Sequence, residues 1–536
     1  MLAYNAFSHR YPSVRNVVYG KNGMACSTQP LASSIGIQVM KDGGNAIDAA
    51  VAMAGAMPLL EPTGNGLGSD AFFLIWTKGK LYGLNASGFS PRSLDAEHVR
   101  KLGYDQMPDS GWIPVMVPGA VAGWCELAGR FGSMPLAELW QPAVCYGEEG
   151  FPVSPNVIVQ WRSSKERLRK EYEKDPEVFG PWMELFGTVP AQGQIFRNPD
   201  YSRTLRELAQ SRGESFYRGP IMEKIISFSE RTGGFLSKED MISYHPDWVE
   251  PICVQYRGYE VWEMPPNGHG ITALMALKML QGFDPGREKE DPEVYHRCIE
   301  AIKLAFADTR KYVADPACMK TQVEDLLSDR YINSRRALIG TEAITPEAGD
   351  PSCGDTVYFC TADGQGNMVS CIQSNYRGFG SGICIPGTGI TLQDRGANFS
   401  LDEESDNCLR GGKRAYHTII PGFLTKGGEP VGPFGVMGGF MQPQGHVQIL
   451  VNSIDFAMNP QEALDAPRFQ WVGGKKVMLE KAVPEAIARE LEKRGHEILR
   501  AETNLNMGRG QIIWKNADGV LCGGTESRAD GAVAAF

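Results

Sequence analysis

The sequence predicts a mixed α/β (α+β) protein, and three observations carry the prediction. Apolar residues recur at helical spacing near the N-terminus and again in "PEVYHRCIEAIKLAFADTRKYV". "TVYFCTAD", "GQGN" and "MVSCIQSN" follow one another as strand, turn and strand, the texture of a β-hairpin. Gly-rich strand-like runs and amphipathic helices then fill the remainder of the chain.

Taken in order, Leu31, Ile35, Ile37 and Met40 mark a first helix, with Lys41 near its end. Gly43 and Gly44 stop it, one of them in the left-handed region. An Ala-rich helix from about Asn45 suits close packing against a sheet. "AFFLIW" (71–76), between "GNGLGSD" and "TKGK", reads as a buried strand. Gly64, Gly66 and Gly68 superficially resemble a nucleotide loop, but no helix follows and no G-K-[ST] is present. "KERLRK" (165–170) reads as a solvated helix face. "PPNGHG" is a loop leading into the helix "ITALMALKML". Val294, Cys298, Ile302, Ala305 and Phe306 share one face of the next helix, with Pro292 in its first turn. Beyond the hairpin, "GICIPGTGITL" and "PVGPFGVMGG" continue as strands. Helices follow at "GHVQILVNSIDFAM", after Asn459-Pro460, and at "VPEAIARELEKRGHEI", with Gly495 past the last one.

The bulk numbers narrow the function. A chain of 536 residues, 42% hydrophobic and 22% charged, can bury a large core. A net charge of -10 and the lack of a long basic block argue against nucleic acid as a partner. The 12 Cys, among them Cys26, Cys125, Cys253, Cys371 and Cys522, show no C-x-x-C pairing, and the 8 His form no H-E-x-x-H. No metal or cofactor is expected. The first twenty residues lack the pattern of a signal peptide, and "AVAMAGAMPLL" (50–60) is too short to span a bilayer. A reduced, cytoplasmic protein without a membrane partner is the expectation.

There is no G-x-S-x-G elbow, no S-x-x-K in a matching context and no Walker A loop. What remains is a Gly-rich β unit that opens on Thr356 in "GDTVYFC". Taken alone, a Thr there is an ordinary strand residue. Cleavage before it changes the chemistry. The freed α-amino group, with an ordinary pKa near 8, can act as general base to its own hydroxyl. The resulting oxyanion needs aligned N–H donors. Gly438 and Gly439 in "VMGGF" can present two, because glycine accepts the dihedrals of such a turn.

Longer segments carry a family resemblance: "GMACSTQPLASSIGIQVMKDGGNAIDAAVA", "VPGAVAGWCELAGRFGSMPLAELWQPAVCYGEEGFPVSP", "EAIKLAFADTRKYVADP" and "VNSIDFAMNPQEALDAPRFQW". In order, from about residue 23 to the C-terminus, they resemble the γ-glutamyltransferase (glutathione hydrolase) family. They are closest in kind to its divergent cephalosporin acylase-like and oxamate amidohydrolase-like members. The resemblance implies an N-terminal-nucleophile hydrolase fold, a four-layer αββα sandwich. It also implies a proenzyme that cuts itself between Asp355 and Thr356. The products would be a large subunit, 1–355, and a small subunit, 356–536, intertwined in one fold as a heterodimer. Thr356 becomes the nucleophile, Ser374 its hydroxyl partner, and Gly438 and Gly439 the oxyanion-hole glycines. The substrate is a small-molecule amide.

Departures from the family pattern fall on the substrate-binding positions. Ser87 stands where the family places an Arg for the donor's α-carboxylate, with Arg92 a few residues away. Asn398 replaces the acid that holds the α-amino group, and His417-Thr418 replaces a pair of serines. Losing one side of a buried charged contact costs about 2–5 kcal/mol, so an α-amino acid head group is expected to bind poorly. Arg395 can hold a carboxylate from another direction, and Tyr376 and His417 are further candidates. A γ-glutamyl amide, or a non-glutamyl amide of oxamate or glutaryl type, is the expected substrate. The rival is an unprocessed binding protein on the same fold.

Overall fold

The computed structural model describes residues 15–346 and 355–536. Most of the predicted cleavage segment therefore lies outside the described residues, which resume at Asp355.

The chain builds two seven-stranded sheets. Their strands, in chain order, are β1 (Val18–Gly20), β2 (Gly23–Ser27), β3 (Asp70–Thr77), β4 (Lys80–Ala86), β5 (Asp247–Val249), β6 (Ile252–Tyr256), β7 (Tyr259–Glu263), β8 (Asp355–Asp363), β9 (Met368–Tyr376), β10 (Gly422–Lys426), β11 (Glu429–Met437), β12 (Arg509–Lys515), β13 (Leu521–Thr525) and β14 (Ala532–Ala535). One sheet has the order β1-β13-β12-β11-β10-β7-β6 and the other β14-β2-β8-β9-β3-β4-β5. Neighbours in both are antiparallel. Each sheet thus combines strands from before Thr356 with strands from Thr356 onward.

Period-two patterning sorts the side chains of β8 between two cores. Tyr358, Cys360 and Ala362 face the other sheet and pack with Phe423, Met437 and Ile513. Val357 and Phe359 point the other way, onto helices α1 (Pro30–Lys41) and α2 (Ala46–Leu60). The outer face of the partner sheet carries Val261, Phe434 and Ile512, covered by α3 (Gly270–Leu280), α4 (Pro292–Tyr312) and α5 (Met441–Ile454). The result is the four-layer αββα sandwich that the resemblance implies.

Local chemistry explains the elements. Asn45 caps α2 by accepting the Ile47 and Asp48 N–H groups, while Asp48 accepts the Asn45 N–H at 2.9 Å. Every residue of α2 is buried, as its alanines anticipate. Gly43 supplies the stop of α1 with φ +100°. The "KERLRK" cluster departs from the expected solvated face. Half-buried Arg167 turns inward, donating to the Gly378 carbonyl at 2.7 Å and the Gly380 carbonyl at 2.9 Å. Those carbonyls belong to a loop that leaves them unpaired within the backbone, so a guanidinium fork is the natural partner. The eleven described cysteines are free. Among the described residues no helix is long and apolar enough to cross a membrane.

Candidate active site

Thr356 is fully buried at the start of β8, where the ladder with β9 is irregular. Asp355 pairs with Tyr376 and Val357 with Gln373, so Thr356 faces two residues, Ser374 and Asn375. Such bulges re-aim side chains at the ends of sheets. Here the Thr356 and Ser374 hydroxyl oxygens lie 3.0 Å apart, and Ser374 Oγ also accepts the Tyr376 N–H at 2.7 Å. Tyr376 adopts φ +80°, an uncommon conformation for a bulky residue.

The "GNGLGSD" loop serves this strand end. Asn375 N–H donates to the Gly64 carbonyl at 3.1 Å, and Ser69 Oγ donates to Asn375 Oδ1 at 2.8 Å. A Cβ on Gly64 would lie 3.2 Å from the Thr356 carbonyl carbon, and one on Gly66 only 2.3 Å from Thr391 Oγ1. The glycines let this loop lie directly against the Thr356 backbone.

Across the sandwich, β11 approaches so closely that a Cβ on Gly435 would meet the Tyr358 ring at 2.4 Å. Past its end, Gly438 (φ +130°) and Gly439 (φ +57°) form the turn into α5. Their carbonyls already accept the Met441 and Gln442 N–H groups at 3.0 and 3.1 Å.

Arg395 is fully buried in the short turn Arg395–Asn398. Its guanidinium lies 4.5 Å from the Tyr376 ring centroid, and Nη1 donates to Thr418 Oγ1 at 2.6 Å. Its Nε and Nη2 have no hydrogen-bond partner among the described residues, and neither does the buried Nδ2 of Asn398 on the same turn. Burial draws the Arg395 guanidinium below its ordinary value, opposed by Asp70, Tyr376 and Asp394.

His417 Nε2 donates to Asp70 Oδ2 at 2.9 Å, while its Nδ1 accepts the Ile419 N–H at 3.3 Å. Burial holds this imidazole well below its usual range, helped by Arg395, His269 and Arg414, so it is neutral. Thr418 accepts twice, at its hydroxyl from Arg395 and at its carbonyl from His269 Nε2 at 2.7 Å. Ser87 is placed differently. Its hydroxyl donates to Asn85 Oδ1 at 2.7 Å, in a network continued by Asn267. Arg92 points outward, paired with Glu239 and hydrogen-bonded to Ser243.

Two charged residues here escape sequence reasoning. Asp70 opens β3 directly opposite Ser374 in the ladder. It is fully buried, accepts the Gly88 N–H at 3.1 Å and lies 3.8 Å from Arg395 Nε. Burial pushes its carboxyl up to about 7, against the pull of Arg395, the Gly88 N–H and Arg414. Arg414 donates from Nε to the Ser87 carbonyl at 3.2 Å and pairs with Asp247, while its buried Nη2 has no hydrogen-bond partner among the described residues. The available signal was a carboxylate heading the apolar run "AFFLIW".

A second buried polar group joins α4 to His496. His296, Glu300 and His496 place ligand-type atoms within 4.8 Å of one another, but their hydrogen bonds are already assigned. Lys303 Nζ donates to Glu300 Oε1 at 2.7 Å and lies 3.4 Å from His496 Nδ1. His496 Nε2 donates to His296 Nδ1 at 2.9 Å, and His296 Nε2 donates to the Gly340 carbonyl at 3.1 Å. The ammonium fills the place of a cation, and the chain ties residues 340–344 to α4.

The γ-glutamyltranspeptidase family model matches residues 32–536. The chain is 34% identical over 528 residues to the glutathione hydrolase-like YwrD proenzyme of Bacillus subtilis, covering 96% of this chain and 98% of that protein. It is 32% identical over 533 residues to the oxamate amidohydrolase proenzyme of Klebsiella pneumoniae, covering 96% and 98%. A solved structure, the cephalosporin acylase from Bacillus halodurans, matches with a TM-score of 0.96 and 54% identity over 100% of this chain and 99% of that one. With its αββα sandwich and a Thr–Ser pair where one sheet ends, the chain belongs to the γ-glutamyltranspeptidase family and is an N-terminal-nucleophile hydrolase.

Proposed function

We propose that this protein is a self-processing amidohydrolase whose nucleophile is Thr356 and whose substrate is an amide with a carboxylate on its acyl part. Cleavage after Asp355 frees the Thr356 amine. That amine takes the hydroxyl proton as Oγ1 attacks the substrate carbonyl. Ser374, 3.0 Å away, steadies the hydroxyl. The N–H groups of the Gly438–Gly439 turn, at the entrance to α5, receive the developing oxyanion. The C–N bond then breaks, the leaving amine carries off the proton, and an ester to Thr356 remains. Water attacks this ester with the same amine as base, releasing the acid and restoring the hydroxyl.

The observation that carries the substrate class is Arg395: fully buried, with Nε and Nη2 lacking a hydrogen-bond partner among the described residues. A guanidinium left so in a dry site fits a bidentate carboxylate ligand. The unpaired Nδ2 of Asn398 adds a neutral donor on the same turn. Ser87 and Arg92 are engaged elsewhere, so recognition falls to Arg395, with Thr418 and Tyr376 fixing its orientation. A glutaryl-type amide presents the carboxylate without the α-amino group for which Asn398 is a poor partner. The relatives named as an acylase and an oxamate amidohydrolase support a non-glutamyl acyl group.

The test compares hydrolysis of glutaryl and γ-glutamyl anilides and of oxamate by the processed enzyme. A glutaryl or oxamate preference of at least about tenfold is expected. A strong preference for the γ-glutamyl anilide overturns the non-glutamyl reading. A single uncut chain that binds these amides without turnover would establish a binding protein instead.

A further inference from the structure

Asp70 has no part in the chemistry above, yet it is the carboxylate nearest the unpaired edge of Arg395, with its Oδ2 3.8 Å from Nε. We propose that the Asp70–His417 pair takes up one proton when a substrate carboxylate settles on Arg395, so that the charge state of Asp70 selects among acyl groups. This rests on the reading of Arg395 as the carboxylate anchor.

The groups around Asp70 define its charge balance. Among the described residues, its own sheet and the loop after β4 bring the Gly88 N–H, at 3.1 Å, and the neighbouring Ser374 strand. From the 413–420 segment come His417, at 2.9 Å, and Arg414. From the turn at 395–398 comes Arg395. Tyr217 and Tyr244 lie near enough for Asp70 to raise their hydroxyls further, and His269 acts on His417. Arg414 already has a carboxylate partner in Asp247, so Arg395 is the cation left to Asp70.

A substrate carboxylate on Arg395 places a second anion beside Asp70 in a water-excluded site. Two carboxylates sharing one cation cannot both stay ionised cheaply, and one of them is pushed toward its neutral form. Burial already holds Asp70 near neutrality, so a modest push suffices. The proton comes from solvent. Because His417 and Asp70 share a hydrogen bond, the uptake belongs to the pair. An acyl group with an ammonium beside its carboxylate reverses the logic. It would hold Asp70 ionised and require no proton.

The probe is 5-oxohexanoate, a non-hydrolysable monocarboxylate with a ketone in place of the amide, titrated into the processed enzyme by calorimetry. Between pH 7 and 8.5 its Kd is expected to rise about tenfold per pH unit. At pH 8 the heats in phosphate and Tris should differ by the amount that one absorbed proton requires. In Asp70→Asn the slope should fall by about tenfold per pH unit and the buffer difference should shrink by one proton's worth. The Thr356 amine titrates nearby but is present in both proteins, so their difference reports Asp70. A flat wild-type Kd, equal heats in the two buffers, or the same slope in Asp70→Asn overturns the proposal. Should Asp70→Asn fail to fold, Asp70→Ser takes its place in the same comparison. No binding at any pH, together with Arg395→Gln leaving hydrolysis intact, instead overturns the carboxylate reading beneath it.

Discussion

Ser374 Oγ sits between two partners, 3.0 Å from Thr356 Oγ1 and 2.7 Å from the Tyr376 N–H that it accepts. The second bond ties the first to the Tyr376 backbone, which lies in the left-handed region at φ +80°. Ser374→Ala should therefore lower kcat by roughly 10- to 1000-fold with little change in KM. Thr356→Ala should abolish both cleavage and turnover. Intact mass under denaturing conditions reads the first, giving one 58.8 kDa chain in the variant against two fragments in the wild type.

Arg395 should respond as a bidentate anchor. Arg395→Gln is expected to weaken carboxylate-bearing substrates by about 2–5 kcal/mol, read as a loss of kcat/KM. Arg395→Lys should recover little of this, since an ammonium cannot present the planar fork. A substrate lacking the carboxylate should be almost indifferent to either change.

Gly438 has φ +130°, where a Cβ is strained even though the nearest atom, Gly508 Cα, is 3.3 Å away. Gly438→Ala should cost about 1–3 kcal/mol of stability and misplace the N–H groups of the turn. Melting temperature and kcat should fall together while KM holds.

Asp70 also leaves a mark on stability. Its carboxyl is raised to about 7 in the folded state, so the fold binds its proton more tightly than the unfolded chain does. The associated stability is fully present at pH values below an ordinary carboxylate pKa and is lost as pH rises through 7. Asp70→Asn removes this dependence. Its melting temperature relative to wild type should rise from pH 5 to pH 8, and scanning calorimetry at both values measures the difference.

The Glu300–Lys303 pair, both fully buried, makes a different prediction. Lys303→Met strands a carboxylate in a dry interior and should destabilise by about 3–5 kcal/mol. Lys303 also holds the Ile344 carbonyl at 3.2 Å, so processing of the precursor should slow as well.

The sequence was most informative where local chemistry decides. Asn45, Gly43, the hairpin from Thr356 and Asn459-Pro460 each carry their own signal, and each forms the expected element. One helix differs at its edges: that placed over 445–458 runs Met441–Ile454. The helix expected to stop before Gly495 runs Glu485–Lys493, with Gly495 past its end at φ +90°. Strand order was less legible, since β2 lies between β14 and β8, drawn from opposite ends of the chain. The charges of the site were hidden for the same reason. Asp70 is far in sequence from Arg395 and Arg414 and meets them only in the folded chain.

The mixing of early and late strands within each sheet bears on how the protein can be made. β8 is gripped on one side by β2 and on the other by β9, which in turn pairs with β3. A polypeptide severed ahead of β8 stays clasped, because freeing either piece means unzipping ladders along the middle of a sheet. The covalent link is thus needed to bring distant segments together during folding and is dispensable once they have met. Halves expressed apart and mixed would have to find these pairings as a bimolecular search with unprotected strand edges, an invitation to aggregate. On the proposed processing, the bond before Thr356 acts as scaffolding, removed after the arch stands.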